Sequence, residues 1–203
     1  MTTANPAHHP APNGASRLGN QTRLLRAVYD IIERRRLTPL FQPIIDMKSG
    51  RIIGYEGLVR GPSDSPLHSP SKLLKLARQT GLFHEIEKLC CQVVVEQFVK
   101  LQLPGYLFVN FSPEVLMQEK CLGNGDLGII REKGLAPQNV VIELTENEPV
   151  YEYNLEMLVE VAAHYQSLGF KIAIDDLGEG FSSPRMWSEL RPEYVKIDRH
   201  FIQ

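Results

Sequence analysis

The chain has 203 residues and a mass of 23.0 kDa, with 43% hydrophobic and 23% charged residues, the profile of a soluble globular protein of about one domain. Lysine and arginine (22) nearly balance aspartate and glutamate (24), giving a net charge of −2 and a pI near 6.3. That excludes a protein held on DNA or RNA by bulk positive charge. Three cysteines, with Cys90 beside Cys91, exclude a disulfide framework. No apolar run reaches the roughly 18 to 20 residues that span a bilayer, and without a basic and apolar signal at the N-terminus the cytoplasm is the expected location.

Residues 1–20 (MTTANPAHHPAPNGASRLGN) have no apolar periodicity and read as a disordered leader, with the folded domain over 21–203. A first helix is expected from near Thr22, because Leu24, Leu25, Val28, Ile31 and Ile32 form one stripe at helical spacing. Arg34, Arg35 and Arg36 suit its negative end. Leu40 to Ile45 reads as a strand, Lys48-Ser49-Gly50 as a turn, and Arg51 to Arg60 as a second strand. Ser69-Pro70 opens a helix that Gly81 ends, and Ile86, Leu89, Cys90, Val93 and Val94 mark the buried face of another. Strands follow at Tyr106–Phe111, Val140–Leu144, Lys171–Asp176 and Tyr194–Asp198. Between them lie helices: one opened by Ser112-Pro113-Glu114, one striped by Leu155, Leu158, Val159, Ala162 and Tyr165 and ended by Gly169, and one over Ser182–Leu190. Strands alternating with helices predict right-handed βαβ units and a mostly parallel α/β sheet.

The polar residues near the strand ends carry the chemical information. Glu56 follows Ile52, Ile53 and Tyr55; Asn110 follows Phe108 and Val109; Glu143 follows Val141 and Ile142; Asp175 and Asp176 follow Ala173 and Ile174; Lys196 sits within Tyr-Val-Lys-Ile-Asp. Burying any one of these costs a few kcal/mol unless it is paired. In a parallel barrel such positions converge on the C-terminal face, where active sites are built. Carboxylates with one amide oxygen suit Mg²⁺ or Mn²⁺ rather than zinc. With a lysine nearby, such a site fits hydrolysis of a phosphate ester by an activated water.

Tyr55-Glu56-Gly57-Leu58-Val59-Arg60 resembles the signature of the EAL-domain phosphodiesterases, which hydrolyse cyclic di-GMP to linear pGpG, with Gly57 in place of the usual alanine. Phe41-Gln42-Pro43-Ile44, Val109-Asn110-Phe111-Ser112-Pro113, Glu143-Leu144-Thr145-Glu146, Asp175-Asp176-Leu177-Gly178 and Val195-Lys196-Ile197-Asp198 match further family motifs in order. The resemblance implies a TIM-like (β/α) barrel and a two-metal site. Glu56, Asn110, Glu143 and Asp175 would ligate one metal, and Asp175 and Asp176 the second. Glu56, Asp175 and Lys196 would be catalytic, Lys196 by positioning the attacking water. Gln42, Leu58 and Arg60 would contact cyclic di-GMP, with Arg60 on a phosphate. Glu146 would anchor the loop after Asp176, which also serves homodimer contacts. Residues 187–201 resemble the branch in which an EAL domain precedes CBS and GGDEF domains.

Two departures from the family pattern stand out. The loop after Asp176 reads Leu177-Gly178-Glu179-Gly180 where the family has Phe-Gly-Thr/Ala-Gly, which adds a negative charge beside the metals. A closed barrel needs roughly 250 residues and eight strands, whereas about six strands are legible here. The expected fold is therefore an incomplete barrel, and the chain by itself is expected to be weakly active or inactive. The alternative reading is an EAL-type receptor that binds cyclic di-GMP without cleaving it, or a protein-interaction domain.

Overall fold

The computed structural model describes the backbone of residues 14–122, 128–144, 151–177 and 184–197, with side chains described throughout these except at 14–21, 119–122, 151–154, 176–177 and 184–186. The first helix, α1, spans Gly14–Glu33. It begins ahead of Thr22 and takes in residues 14–20 of the segment read as a leader. Its apolar stripe behaves as expected, with Val28 and Ile31 buried. Strand β1 (Thr38–Asp46) turns back into β2 (Arg51–Arg60) through a tight loop in which Asp46 accepts from the Lys48 N–H (3.0 Å) and the Ser49 hydroxyl (2.5 Å).

The elements then alternate: α2 (Pro70–Thr80), α3 (Phe83–Leu101), β3 (Tyr106–Phe111), α4 (Pro113–Leu122), α5 (Gly128–Glu132), β4 (Val140–Leu144), α6 (Tyr151–Ser167), β5 (Lys171–Leu177), α7 (Pro184–Leu190) and β6 (Tyr194–Ile197). Gly81 ends α2 in the left-handed region (φ 73°), its N–H reaching the carbonyls of Ala77 and Arg78, because glycine adopts that conformation without a Cβ penalty. The six strands form one sheet in the order β1-β2-β3-β4-β5-β6. The β1–β2 pair is antiparallel and the other four pairs are parallel. The result is the expected α/β architecture, a curled half-barrel of the TIM type.

Strand side chains alternate between faces, and here the two faces have different partners. Leu107, Val109, Phe111, Val140, Ile142, Leu144, Ile172 and Ile174 join the main core with the helices. Phe108, Val141 and Ala173 face the other way and pack with Ile44, Tyr106 and Tyr194 in a small second cluster. The Tyr194 ring lies 5.2 Å from Phe108 and 6.2 Å from Tyr106, and Lys171 Nζ sits 5.2 Å from the Tyr106 ring centre. This aromatic layer floors the concave side of the sheet.

Gly57 belongs to the helix-facing side of β2. A methyl group there would collide with Val94 Cγ1 on α3, and Val94 is itself buried. Alanine at this position is therefore not a neutral exchange, because a β-branched side chain in a helix has little rotamer freedom with which to yield. Gly57→Ala is expected to destabilise by about 2 kcal/mol through overpacking. In urea titrations, the double variant Gly57→Ala/Val94→Ala should lose clearly less than the sum of the two single changes; strict additivity would refute the collision. Among the described residues, no helix is long and apolar enough to cross a membrane.

Candidate active site

The site grows out of the alternation in the sheet. Two residues beyond Phe108, Val141, Ala173 and Tyr194 of the concave apolar layer, on the same face, the strands carry polar groups: Asn110, Glu143, Asp175 and Lys196. On β2 the same step leads from Gly54 to Glu56. Strand β1 runs the other way, so the step from Ile44 points backwards, to Gln42, which pairs with Glu56 across the ladder. Asn110 pairs with Glu143 in the β3–β4 register. Between β5 and β6 the register shifts after Ile174 and resumes at Leu177, so the irregularity falls on Asp175 and Asp176. Bulges of this kind re-aim side chains next to active sites.

Four of the expected residues meet. Lys196 Nζ lies 2.8 Å from Glu56 Oε2, 2.8 Å from Glu143 Oε1 and 3.6 Å from Asp175 Oδ1. Asn110 Nδ2 donates to Glu56 Oε1 at 3.2 Å. Glu143 is completely buried, and apart from the Lys196 ammonium neither of its oxygens has a hydrogen-bond partner among the described residues. Burial pushes the Glu143 carboxyl up to about 7, against the attraction of Lys196 and with the repulsion of Glu56 and Asp175. Burial also opposes the charge on Lys196, but Glu143 and Glu56 outweigh it and hold the ammonium above the ordinary lysine range. Lys196 therefore stays protonated across the physiological range.

This donor set fits a hard divalent cation. Glu56, Glu143 and Asp175 each offer an oxygen, all within 4.8 Å of one another. Apart from the Lys196 ammonium, the buried Glu143 oxygens meet none of the donors among the described residues that such groups normally find, and bound cations satisfy carboxylates of this kind. A cavity of about 270 Å³ opens beside the cluster. Its wall includes Glu56, Leu58, Arg60 and Asn110 with apolar groups such as Leu73 and Val94. Arg60 Nη1 donates to the Val59 carbonyl at 2.9 Å.

Of the other expected residues, Gln42 is exposed on β1. Asp176 is in β5, with its side chain outside the described residues, as are Glu146 and Glu179 altogether. Cys91 is buried, and burial pushes the Cys90 thiol up to about 12, in keeping with a packing role. One residue of the cavity wall had no sequence signal of its own. Glu87, on α3, accepts both the N–H (3.1 Å) and the hydroxyl (2.9 Å) of Ser112 on its Oε2. Burial pushes its carboxyl up to about 7, although the Ser112 bonds and Arg78 act against the rise. On α3 it reads as an ordinary polar position, and only the fold brings it to the β3–α4 turn.

The profile of the EAL domain matches residues 22–203. The chain belongs to the EAL family. Over 177 residues this EAL domain is 29% identical to a protein of Escherichia coli (strain K12) described as the probable cyclic di-GMP phosphodiesterase PdeB, an alignment covering 85% of this chain and 34% of that one. Among solved structures, the PaMucR phosphodiesterase in its c-di-GMP complex matches with a TM-score of 0.74 and 27% identity, covering 89% of this chain and 74% of that one. A c-di-GMP-bound standalone EAL protein from Vibrio cholerae O395 gives a TM-score of 0.66 at 29% identity, over 82% of this chain and 68% of that one. The EAL domain spans between 23% and 39% of the length of the curated relatives it matches.

Proposed function

We propose that this EAL domain is the catalytic part of a cyclic di-GMP phosphodiesterase, hydrolysing the cyclic dinucleotide to linear pGpG with Mg²⁺ or Mn²⁺. The observation that carries the reading is the convergence of Glu56, Glu143, Asp175 and Lys196, with the Glu143 oxygens buried and faced among the described residues by no donor but Lys196. Glu56, Asn110, Glu143 and Asp175 would hold one cation, and Asp175 with Asp176 a second. Bound there, the cations would neutralise phosphoryl oxygens and make water a stronger acid.

The remaining roles fall to the chain itself. Lys196 keeps its proton and therefore cannot serve as the base; its N–H groups orient the attacking water and offset charge on the phosphate. Arg60 would exchange its bond to the Val59 carbonyl for a phosphate oxygen, which its planar fork suits. Leu58 offers an apolar wall, and Gln42, level with Glu56 across the ladder, an amide. The proposal includes a cytoplasmic homodimer.

The test is separation of cyclic from linear dinucleotide after incubation with Mn²⁺, with EDTA and Glu56→Ala as controls. Among the described residues six strands stand where a closed barrel has eight, so weak turnover is expected of the chain as it is and stronger turnover of an eight-stranded version. EDTA and Glu56→Ala should each abolish it. Tight binding of the dinucleotide with no turnover in either form would instead make the domain a receptor.

A further inference from the structure

We propose that Glu87 is a positioning residue for the acidic site, acting through Ser112 to fix Asn110 against Glu56. The inference rests on the metal-site reading above and adds to it a residue that is neither a ligand nor a strand-end group.

The geometry runs through three contacts. Glu87 projects from α3 and places one oxygen where both the N–H and the hydroxyl of Ser112 can donate to it, at 3.1 and 2.9 Å. Ser112 is buried and stands between β3 and α4; its hydroxyl oxygen also accepts from the Val115 N–H at 3.4 Å. The turn that ends β3 is therefore held at its backbone, its side chain and the first turn of the next helix. Two residues earlier is Asn110, whose Nδ2 donates to Glu56 Oε1 at 3.2 Å. With its amide nitrogen committed to Glu56, Asn110 keeps its carbonyl oxygen as the acceptor that a cation would use. Removing partners that orient ligands typically costs about ten- to a hundredfold in metal affinity. Glu87 ties Ser112 to α3 from a position beside the buried Ile86 and Leu89.

The experiment is Mn²⁺ titration of the folded chain by calorimetry, with thermal melts in EDTA alongside. Glu87→Leu keeps most of the side-chain volume but removes the acceptor, and is expected to weaken Mn²⁺ binding about tenfold. Glu87→Gln keeps an acceptor oxygen and should bind Mn²⁺ close to the wild-type level. Ser112→Ala removes only the hydroxyl half of the clamp and should weaken binding by a smaller factor; it carries the test if Glu87→Leu fails to fold. A Glu87→Leu or Ser112→Ala chain that melts earlier yet binds Mn²⁺ as the wild type does would reduce the clamp to a stability contact and overturn the inference. So would a loss of dinucleotide binding with Mn²⁺ affinity unchanged, which would place Glu87 on the ligand itself. Absence of Mn²⁺ binding by the wild-type chain would remove the metal-site reading, and this inference with it.

Discussion

Replacing Lys196 with methionine is expected to cost the metal-free chain about 3 kcal/mol of stability near pH 8. Lys196 is the cation that Glu56, Glu143 and Asp175 share, and Glu143 has no exposure to water through which to disperse its charge. Methionine keeps the volume of the side chain but leaves three carboxylates facing one another. Breaking a buried ion pair from one side costs roughly 3 to 5 kcal/mol, and the partial exposure of Lys196 argues for the lower end. Without the ammonium, the carboxyl of Glu143 rises further still, so the deficit should shrink as the pH falls and protons replace the missing cation. Millimolar Mn²⁺ should shrink it too, by the same substitution of one positive charge for another. Urea midpoints in EDTA and in Mn²⁺ measure all three; a loss under about 0.5 kcal/mol in EDTA, the range of an ordinary surface change, would show that Lys196 is not what holds the cluster together. Turnover by the variant should fall with the loss of the donor that orients water.

In EDTA, the wild-type chain is expected to lose stability as the pH rises from about 4.5 to 7. Glu143 and Glu87 both have folded values raised from 4.5 to about 7, in each case through burial first. Between those limits the native chain holds protons that the unfolded chain has released, so raising the pH favours unfolding. Each group alone accounts for about 3 kcal/mol over the window. For Glu87 the neighbouring charges oppose each other, Arg78 lowering and Glu114 raising it, while Cys90 beside it remains a neutral thiol. Glu143→Gln should remove its share of the slope and leave that of Glu87. Mn²⁺ should reverse the trend for Glu143, because the ion competes with the proton for the same oxygens. Urea midpoints at pH 5 and 7.5 decide the matter: a rise in stability over this window that Glu143→Gln leaves unaltered would contradict the assignment.

Most of the site was legible because the strands announce it. A carboxylate or lysine in an otherwise apolar strand has few reasons to be there, and Glu56, Asn110, Glu143, Asp175 and Lys196 stand out on that ground alone. What brings four of them within ion-pair range is the two-residue step from the concave apolar layer, and that layer is visible only once Phe108, Val141, Ala173 and Tyr194 are known to share a face. Other features were out of reach for physical reasons. The start of α1 at Gly14 lies ahead of the apolar stripe that begins at Leu24, so periodicity places it near Thr22. Ser69 precedes Pro70 as an N-cap should, yet its hydroxyl pairs with that of Ser71 and makes no capping bond. Gly57 looked like a small residue exchanged for another, and only the position of Val94 shows that the space is already taken. Glu87 and Ser112 are 25 residues apart in sequence, with no pattern to join them until α3 is packed on the sheet.

The reversed direction of β1 changes which end of the half-barrel the N-terminal helix addresses. In a strand parallel to its neighbours, the preceding connection would arrive beneath the aromatic floor. Here Thr38 lies level with Arg60, beyond the layer of Gln42 and Glu56, so α1 hands the chain over at the mouth. Arg36 fastens that junction to Asp30 and to Asp64, just past the end of β2, at 3.0 Å each, and Arg35 fastens it to Glu96 on α3 at 2.7 Å. A tug or twist applied along α1 is therefore delivered to the rim of the pocket, a few residues from Arg60, with no need to pass through the packed interior.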